Sequence, residues 1–424
     1  MVQKQEKRLT LRILSLLLAL AMLLPLAACG PKPAETTAAT TAATTTAATT
    51  AVPEKYEIRL SAPASVEIHT ALQASYLADR DPHSVQTYLK PVYTAKSVDY
   101  DSEPGTIELG RPEPITLTWT IAAEAEGHVS SFIVRLWTKE DRSDLKTVAV
   151  AALERECKVY NLFVGQTYYW NVSLTDDEGT ASTSKTGTFT TAAKAPRNLY
   201  VDSVTNVRDL GGWATEDGGR VRQGLLYRGA RLNDNFKTDI TVSSAGIKTL
   251  CTELGIKTEV DLRQTKEVND RNESGSRTTS PLGAAVTYRA FPMEYEAAKL
   301  ITDAKNIARV REIFALLADE SNYPIYFHCS IGTDRTGLIS WLVNGLCGVS
   351  ETDLWRDYLF SNFGTIDGSR TRAKNEDVYV NQIKAKSGAN LAEKTYNFVK
   401  DYFGVPEADI DAVIRIMKEA PATK

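Results

Sequence analysis

Residues 324 to 347, PIYFHCSIGTDRTGLISWLVNGLC, pass from a short apolar run through a polar loop directly into a second, longer apolar run. The first run is aromatic and β-branched and has the length of a strand; the second has the length of a helix. PIYFHC therefore predicts a buried strand and RTGLISWLVNGLC a helix that follows it almost at once. Strands that feed helices in this way build layered α/β domains.

The flanking sequence extends the same pattern. SSAGIKTLCTELG (243 to 255) predicts a helical stretch closed by a glycine, and IKTEVDLR (256 to 263) a short strand. NIARVREIFALLADE places Ile307, Val310, Phe314 and Leu317 on one helical face. SETDLWRDYLF opens with a capping pattern at Ser350 and Asp353, and NLAEKTYNFVKDYFG and PEADIDAVIRIMKE predict two closing helices. Residues 198–424 are expected to form one α/β domain with a sizeable core.

Residues 55–195 read differently. ITLTWTI (115 to 121), SFIVRLW (131 to 137), TYYWNVSLT (167 to 175) and GTFTT (187 to 191) alternate with period two, separated by turn clusters such as DDEG. Short strands so spaced predict a β-sandwich. YYWNV, followed by a glycine-bearing turn and TGTFTT, resembles a fibronectin type III or immunoglobulin-like domain. The pattern fades over 55–114, where extra strands or a small module are expected. His69, His83 and His128 fall singly in this region and read as surface or turn histidines. The fold class is therefore multidomain: an N-terminal β-sandwich followed by the α/β domain.

The chain begins with Lys4, Lys7, Arg8 and Arg12 leading into an apolar run that ends in small residues, the pattern of a secretion signal. Leu26-Ala27-Ala28-Cys29 resembles the lipobox of bacterial lipoproteins. That resemblance implies cleavage of residues 1–28, lipidation of Cys29, and tethering to the outer face of the cytoplasmic membrane. Residues 29–54, rich in Thr, Ala and Pro, lack apolar periodicity and predict a flexible stalk. The net charge of -4, without basic runs, argues against a nucleic-acid partner. The other cysteines, Cys157, Cys251, Cys329 and Cys347, form no CxxC pair or Cys/His cluster, so no metal site is expected. Their spacing assigns no disulfide.

Cys329 stands apart. It lies between the predicted strand and helix, where unpaired backbone N–H groups favour a thiolate or a phosphate. Arg335, six residues on, can fold a bidentate fork over the loop. Gly332 permits a tight curl, Thr336 can offer its hydroxyl to the sulfur, and His328 is placed to fix the loop from behind.

HCSIGTDRTG resembles the signature of the protein tyrosine phosphatase superfamily, most closely the secreted bacterial branch with HCxxGxDRTG. NVRDLGGW (206 to 213), DGGRVRQGLLYRGARL (217 to 232) and VDLR (260 to 263) look like further motifs of that branch. Many members carry lysine where Thr333 stands. The resemblance implies a phosphocysteine mechanism on phosphorylated proteins or small phosphoesters, without metal or cofactor. Cys329 would be the nucleophile, Arg335 the clamp, and Ser330, Ile331, Gly332, Thr333, Asp334 and Arg335 the phosphate-binding loop. No Trp-Pro-Asp segment is present to supply the usual acid. The resemblance points to Asp334 as proton donor, against the alternatives of a bracing role for it or of donation by Glu294, Glu296 or Asp303. Arg208 and Asp209 are expected to support the loop or to form a turn-stabilising surface pair, and the same choice stands for Arg228 and Asp261. Two other functions remain open: an inositol-polyphosphate or phosphoinositide phosphatase using Arg228, Arg231 and Arg289, and an inert surface binding protein.

Overall fold

The computed structural model describes residues 54–421 except 84, 86, 90–104, 234–240, 265–266, 270–271, 275–277 and 367. The expected leader, Cys29 and nearly all of the Thr/Ala tract lie outside the described residues. Residues 54–424 form one compact unit.

The N-terminal part is built from β1 (Ile58–Ser61), β2 (Ile115–Ile121), β3 (Val129–Trp137), β4 (Lys146–Ala151), β5 (Glu156–Val159), β6 (Thr167–Asp176), β7 (Ala181–Thr183) and β8 (Gly187–Thr190). One antiparallel sheet has the order β1-β2-β5; the other runs β4-β3-β6-β7, with β8 also paired to β6. The alternation read from the sequence becomes burial. Ile115, Leu117 and Trp119 from one sheet share a single apolar cluster with Phe132, Val134, Trp170 and Val172 from the other.

The connection from β1 to β2 does something the sequence pattern does not announce. It contains helix α1 (Ala71–Leu77), opened by a reciprocal capping box between Thr70 and Gln73. Tyr76, Leu77, Val85 and Leu89 pack into the core of the α/β part, not into the core of the sheets beside them. Tyr76 meets Phe363 edge-on at 5.6 Å and donates to the Arg356 carbonyl at 3.1 Å. Arg356 returns its guanidinium to the Asp79 carbonyl, and Gly105 N–H donates to Asn362 O at 2.6 Å. A Cβ on Gly105 would fall 1.9 Å from the Phe363 carbonyl oxygen, so only glycine permits this backbone-to-backbone approach. Residues 71–77, Val85, Leu89 and Gly105 thus pack against the α/β part.

The α/β part contains β9 (Arg208–Asp209), β10 (Arg220–Val221), β11 (Leu226–Gly229), α2 (Ser244–Lys248), β12 (Thr258–Asp261), the hairpin β13 (Glu267–Asn269) and β14 (Asn272–Ser274), and β15 (Thr287–Ala290). After these come α3 (Ala304–Leu317), β16 (Ile325–His328), α4 (Asp334–Cys347), α5 (Glu351–Phe360), α6 (Leu391–Phe403), α7 (Glu407–Met417) and β17 (Lys418–Glu419). The main sheet has the order β15-β12-β16-β11-β9, parallel except for the edge strand β9. Helix α4 is buried on every side beyond its first residue, which explains its nearly continuous apolar sequence. Helix α3 buries Val310, Phe314 and Leu317 of the expected face, together with Ile313, while Ile307 is only partly buried against the same core.

Candidate active site

Cys329 follows the central strand β16, and α4 begins five residues later at Asp334. The loop between them is shaped from outside by hydrogen bonds to its carbonyls. Arg231 donates to Ser330 O at 3.0 Å, Asn206 Nδ2 to Ile331 O at 2.9 Å and Gly332 O at 3.2 Å, and Arg228 to Gly332 O at 2.8 Å. In a trans peptide the N–H points opposite to the C=O. Drawing three successive carbonyls outward therefore turns the N–H groups of Ile331, Gly332 and Thr333 inward, making a concave anion cradle. Gly332 sits at φ +72°, and a Cβ there would lie 2.3 Å from Gly229 O. No other residue type fits that position without moving the loop.

Two buried ionisable groups stand at this loop, Cys329 and Arg335. Cys329 is buried, and burial alone would push its thiol up; the nearby Arg335 charge and hydrogen bonding from Thr336 outweigh that and hold it below the ordinary thiol range. The Thr336 hydroxyl is buried beside the sulfur, and it and the Thr336 N–H both favour the thiolate. Arg335 is equally buried, donates to Leu262 O at 3.3 Å and Met293 O at 3.2 Å, and stands 5.7 Å from the centre of the Tyr295 ring. A low-lying thiol, a guanidinium and inward-facing amides can hold a tetrahedral anion and attack at its centre.

Behind the loop lies a brace that the sequence only half revealed. Asp357, on α5, is buried between two arginines: Arg208 Nε at 2.8 Å and Arg228 Nη1 at 2.6 Å. Burial would raise its carboxyl, but Arg208 and then Arg228 hold it below the usual carboxylate range. Arg228 itself is pushed down to about 10, first by burial and then by Arg208, and still carries its charge at neutral pH. Arg208 also donates to Asn206 Oδ1 at 2.5 Å, fixing the amide that holds the loop. Asn206 is one of four non-glycine residues with positive φ among those described, at 61°.

Several expected residues fall elsewhere. Asp209, adjacent to Arg208 on β9, points to the opposite face, as successive strand residues must. It pairs with Arg197 at 2.9 Å and accepts from the N–H groups of Gly211 and Gly224, so it does not support the loop. Arg197 in turn reaches Asn161 O and Leu162 O, joining the α/β sheet to the β5–β6 connection. Asp303 caps α3 through Lys305 N and Asn306 N. Glu296 pairs with Lys299 at the surface, and the Glu294 N–H is held by Asn306. Asp261 pairs with Arg263 beneath the loop. The four cysteines among the described residues are all free thiols, and burial pushes Cys347 up to about 12.

Asp334 is gripped by its neighbours. Arg370 grips it through Nε and Nη2, and the Tyr358 hydroxyl donates to Oδ1 at 3.2 Å. Burial, then the Asp334 charge, pushes that hydroxyl well above its usual range, so Tyr358 remains a donor. These contacts favour the carboxylate, the form of a brace. Arg370 and Asp357 were both missed in the sequence. An aspartate on the buried side of an amphipathic helix was the available signal for Asp357; Arg370 sits in GSRTR, without periodic context.

Known proteins share parts of this chain. Residues 199–421 match the model described as the Tyrosine phosphatase family. A curated protein of Cupriavidus necator named "Putative tyrosine-protein phosphatase" is 31% identical over 180 residues, covering 39% of this chain and 63% of that one. The chain thus spans less than two thirds of that relative's length. Among solved structures, P. aeruginosa TpbA aligns at 19% identity over 48% of this chain and 95% of its own, with TM-score 0.24. The core catalytic domain of the PP-IP phosphatase SIW14 from S. cerevisiae, in complex with citrate, aligns at 14% identity over 42% and 85%, with TM-score 0.23.

Proposed function

The chain belongs to the tyrosine phosphatase family, and from that premise we propose that it is a cysteine-dependent phosphomonoester phosphatase acting on phosphotyrosine, or on a wider range of protein phosphoesters, at the cell surface. The observation that carries this reading is the Cys329 thiol, held low beside Arg335 at the start of α4. The sulfur attacks phosphorus in line, forming an S–P bond as the P–O bond to the leaving group breaks and the leaving oxygen takes a proton. Arg335 and the loop N–H groups stabilise the equatorial oxygens. Water then attacks phosphorus, releasing phosphate and restoring the thiolate.

The resemblance makes Asp334 the donor of that proton; its ion pair with Arg370 supports the bracing role instead. Inositol polyphosphates would call for cations facing the cradle. Arg228 is fully buried against Asp357 and Gly332, which removes one of the three candidates for that work. We further propose that residues 55–195 are a fibronectin type III-like sandwich that positions the enzyme, and that a lipid on Cys29 tethers it to the membrane. Two antiparallel sheets on one apolar core support the first, and the leader sequence supports the second.

The decisive experiment is turnover of an aryl phosphate and a phosphotyrosine peptide, with EDTA present, by the wild type and by Cys329→Ser. Turnover is expected in the first and none in the second; full activity of Cys329→Ser would reject the nucleophile, and tight phosphopeptide binding by a wild type that does not turn over would favour the inert binding protein.

A further inference from the structure

Directly beneath the loop, four ionisable side chains are fully buried: Glu259 and Asp261 on β12, Arg263 just after it, and His328 on β16. Burying charge in this way is costly unless each group is paired. Arg263 satisfies Asp261, donating to its two oxygens at 3.0 and 2.7 Å, and Tyr288 adds a hydroxyl to the same carboxylate at 2.8 Å. Arg263 also reaches Asn233, through the carbonyl at 2.8 Å and the side-chain oxygen at 3.2 Å. One anion, Glu259, is left over.

Its partner is His328. Glu259 Oε1 stands 3.0 Å from His328 Nε2, while the Ser280 hydroxyl donates to Oε2. The other ring nitrogen, Nδ1, lies 3.1 Å from the Cys329 carbonyl oxygen and 3.9 Å from Asp261 Oδ1. A neutral imidazole offers one donor and one acceptor. With Glu259 as the carboxylate, both nitrogens of His328 face acceptors, and both then carry hydrogen. Among the described residues of this group, two carboxylates and one guanidinium leave room for one more cation.

Taking Cys329 as the nucleophile proposed above, we infer that Glu259 is a positioning residue that keeps His328 doubly protonated, so that its Nδ1–H grips the Cys329 carbonyl and sets positive charge beneath the sulfur. The groups facing the ring act in opposite directions. Burial and then Arg263 oppose the proton; Asp261 and the Glu259 hydrogen bond favour it and prevail, raising the histidine above its ordinary value. The Tyr326 ring, 5.6 Å away, contributes no charge. The order of the pair matters. The imidazolium is the end nearer the loop and the carboxylate lies behind it, so the pair presents its positive end to the thiolate. Glu259→Gln removes the far negative charge and, through loss of the proton, the near positive one. The loss at the sulfur is therefore the larger.

The test uses the whole chain. In 15N spectra of the wild type, His328, one of four histidines and assigned by its loss in His328→Gln, should show both ring nitrogens protonated at pH 8. Glu259→Gln should show a neutral ring at that pH. The midpoint for alkylation of Cys329 by iodoacetamide should rise in Glu259→Gln by about one pH unit, roughly tenfold less thiolate at a fixed pH below both midpoints. His328→Gln should raise it comparably, and Glu259→Gln should add nothing in that background. A neutral His328 in the wild type at pH 7 overturns the inference even if no variant folds. So does an unmoved alkylation midpoint in Glu259→Gln. If the wild-type midpoint is itself that of an ordinary thiol, the nucleophile reading fails instead; a low wild-type midpoint that ignores Glu259 rejects only the present inference.

Discussion

Arg370 meets Asp334 through both carboxylate oxygens, at 2.9 and 2.8 Å, and thereby connects the first residue of the central helix to a loop 36 positions further on. A carboxylate so held, with Tyr358 donating to it as well, is stabilised in its charged form.

The bracing role has a kinetic signature. Asp334→Asn keeps the shape but weakens the Arg370 pair, so the cradle loosens for every substrate. Hydrolysis of an activated aryl phosphate and of a poor-leaving-group alkyl phosphate should both fall, each by about tenfold, which is about 1.4 kcal/mol of transition-state stabilisation. Comparing kcat/KM for the two esters checks this. A loss confined to the alkyl ester would assign the leaving-group proton to Asp334 after all.

Asp357 should matter to stability more than any other single charge behind the loop. Asp357→Asn leaves Arg208 and Arg228 buried without their shared anion, a change expected to cost about 3–5 kcal/mol at pH 7. The pH dependence follows from the lowered folded-state value. Stability gained from a depressed carboxyl is complete above the unfolded value, about 4, and fades as pH falls through the folded one. Urea unfolding at pH 7 and pH 3 should therefore show a large gap between wild type and variant that narrows in acid. A gap that stays constant would mean the carboxyl is not depressed in the folded protein.

Asn206 tests the loop-shaping argument separately from charge. Asn206→Gly tolerates the positive φ but deletes the amide that draws back Ile331 and Gly332. It should lower kcat by about tenfold or more, since misplaced oxyanion donors are costly, while thermal unfolding shifts by only a few degrees. Unchanged kcat would show that Arg228 and Arg231 suffice to set the carbonyls.

Local pattern made much of this molecule readable. PIYFHC and RTGLISWLVNGLC became β16 and α4 because a short apolar strand and a continuously apolar helix are specified by neighbouring residues alone. The alternating strands of the N-terminal part were readable for the same reason. The partners of polar side chains were not. Arg208 and Asp209 stood together in one motif, yet one faces Asp357 and the other Arg197, a choice made by what packs on each side of β9. Glu259 reads as an ordinary strand residue until β16 brings His328 beside it. The role of ALQASYL was hidden too, because a seven-residue helix shows too little periodicity to declare which core it serves.

That helix supports a further prediction. Tyr76→Ala removes a fully buried ring from between α1 and the Phe360–Phe363 turn. It should destabilise the protein by about 3–5 kcal/mol, as for other large aromatic deletions. Because α5 carries Asp357, activity should fall at temperatures where the variant is still mostly folded. Differential scanning calorimetry with parallel activity assays checks both; loss of stability in the β-sheet region alone, with the enzyme unaffected, would contradict the packing.

Tyr76, Leu77 and the Gly105 contact also bear on how such a chain can be rearranged. The α/β part borrows some of its interior from a stretch encoded before β2, so a cut near residue 198 would sever a shared core and not a linker. Transplanting the α/β part onto another carrier, or exchanging its N-terminal neighbour for a different module, would have to bring that stretch along.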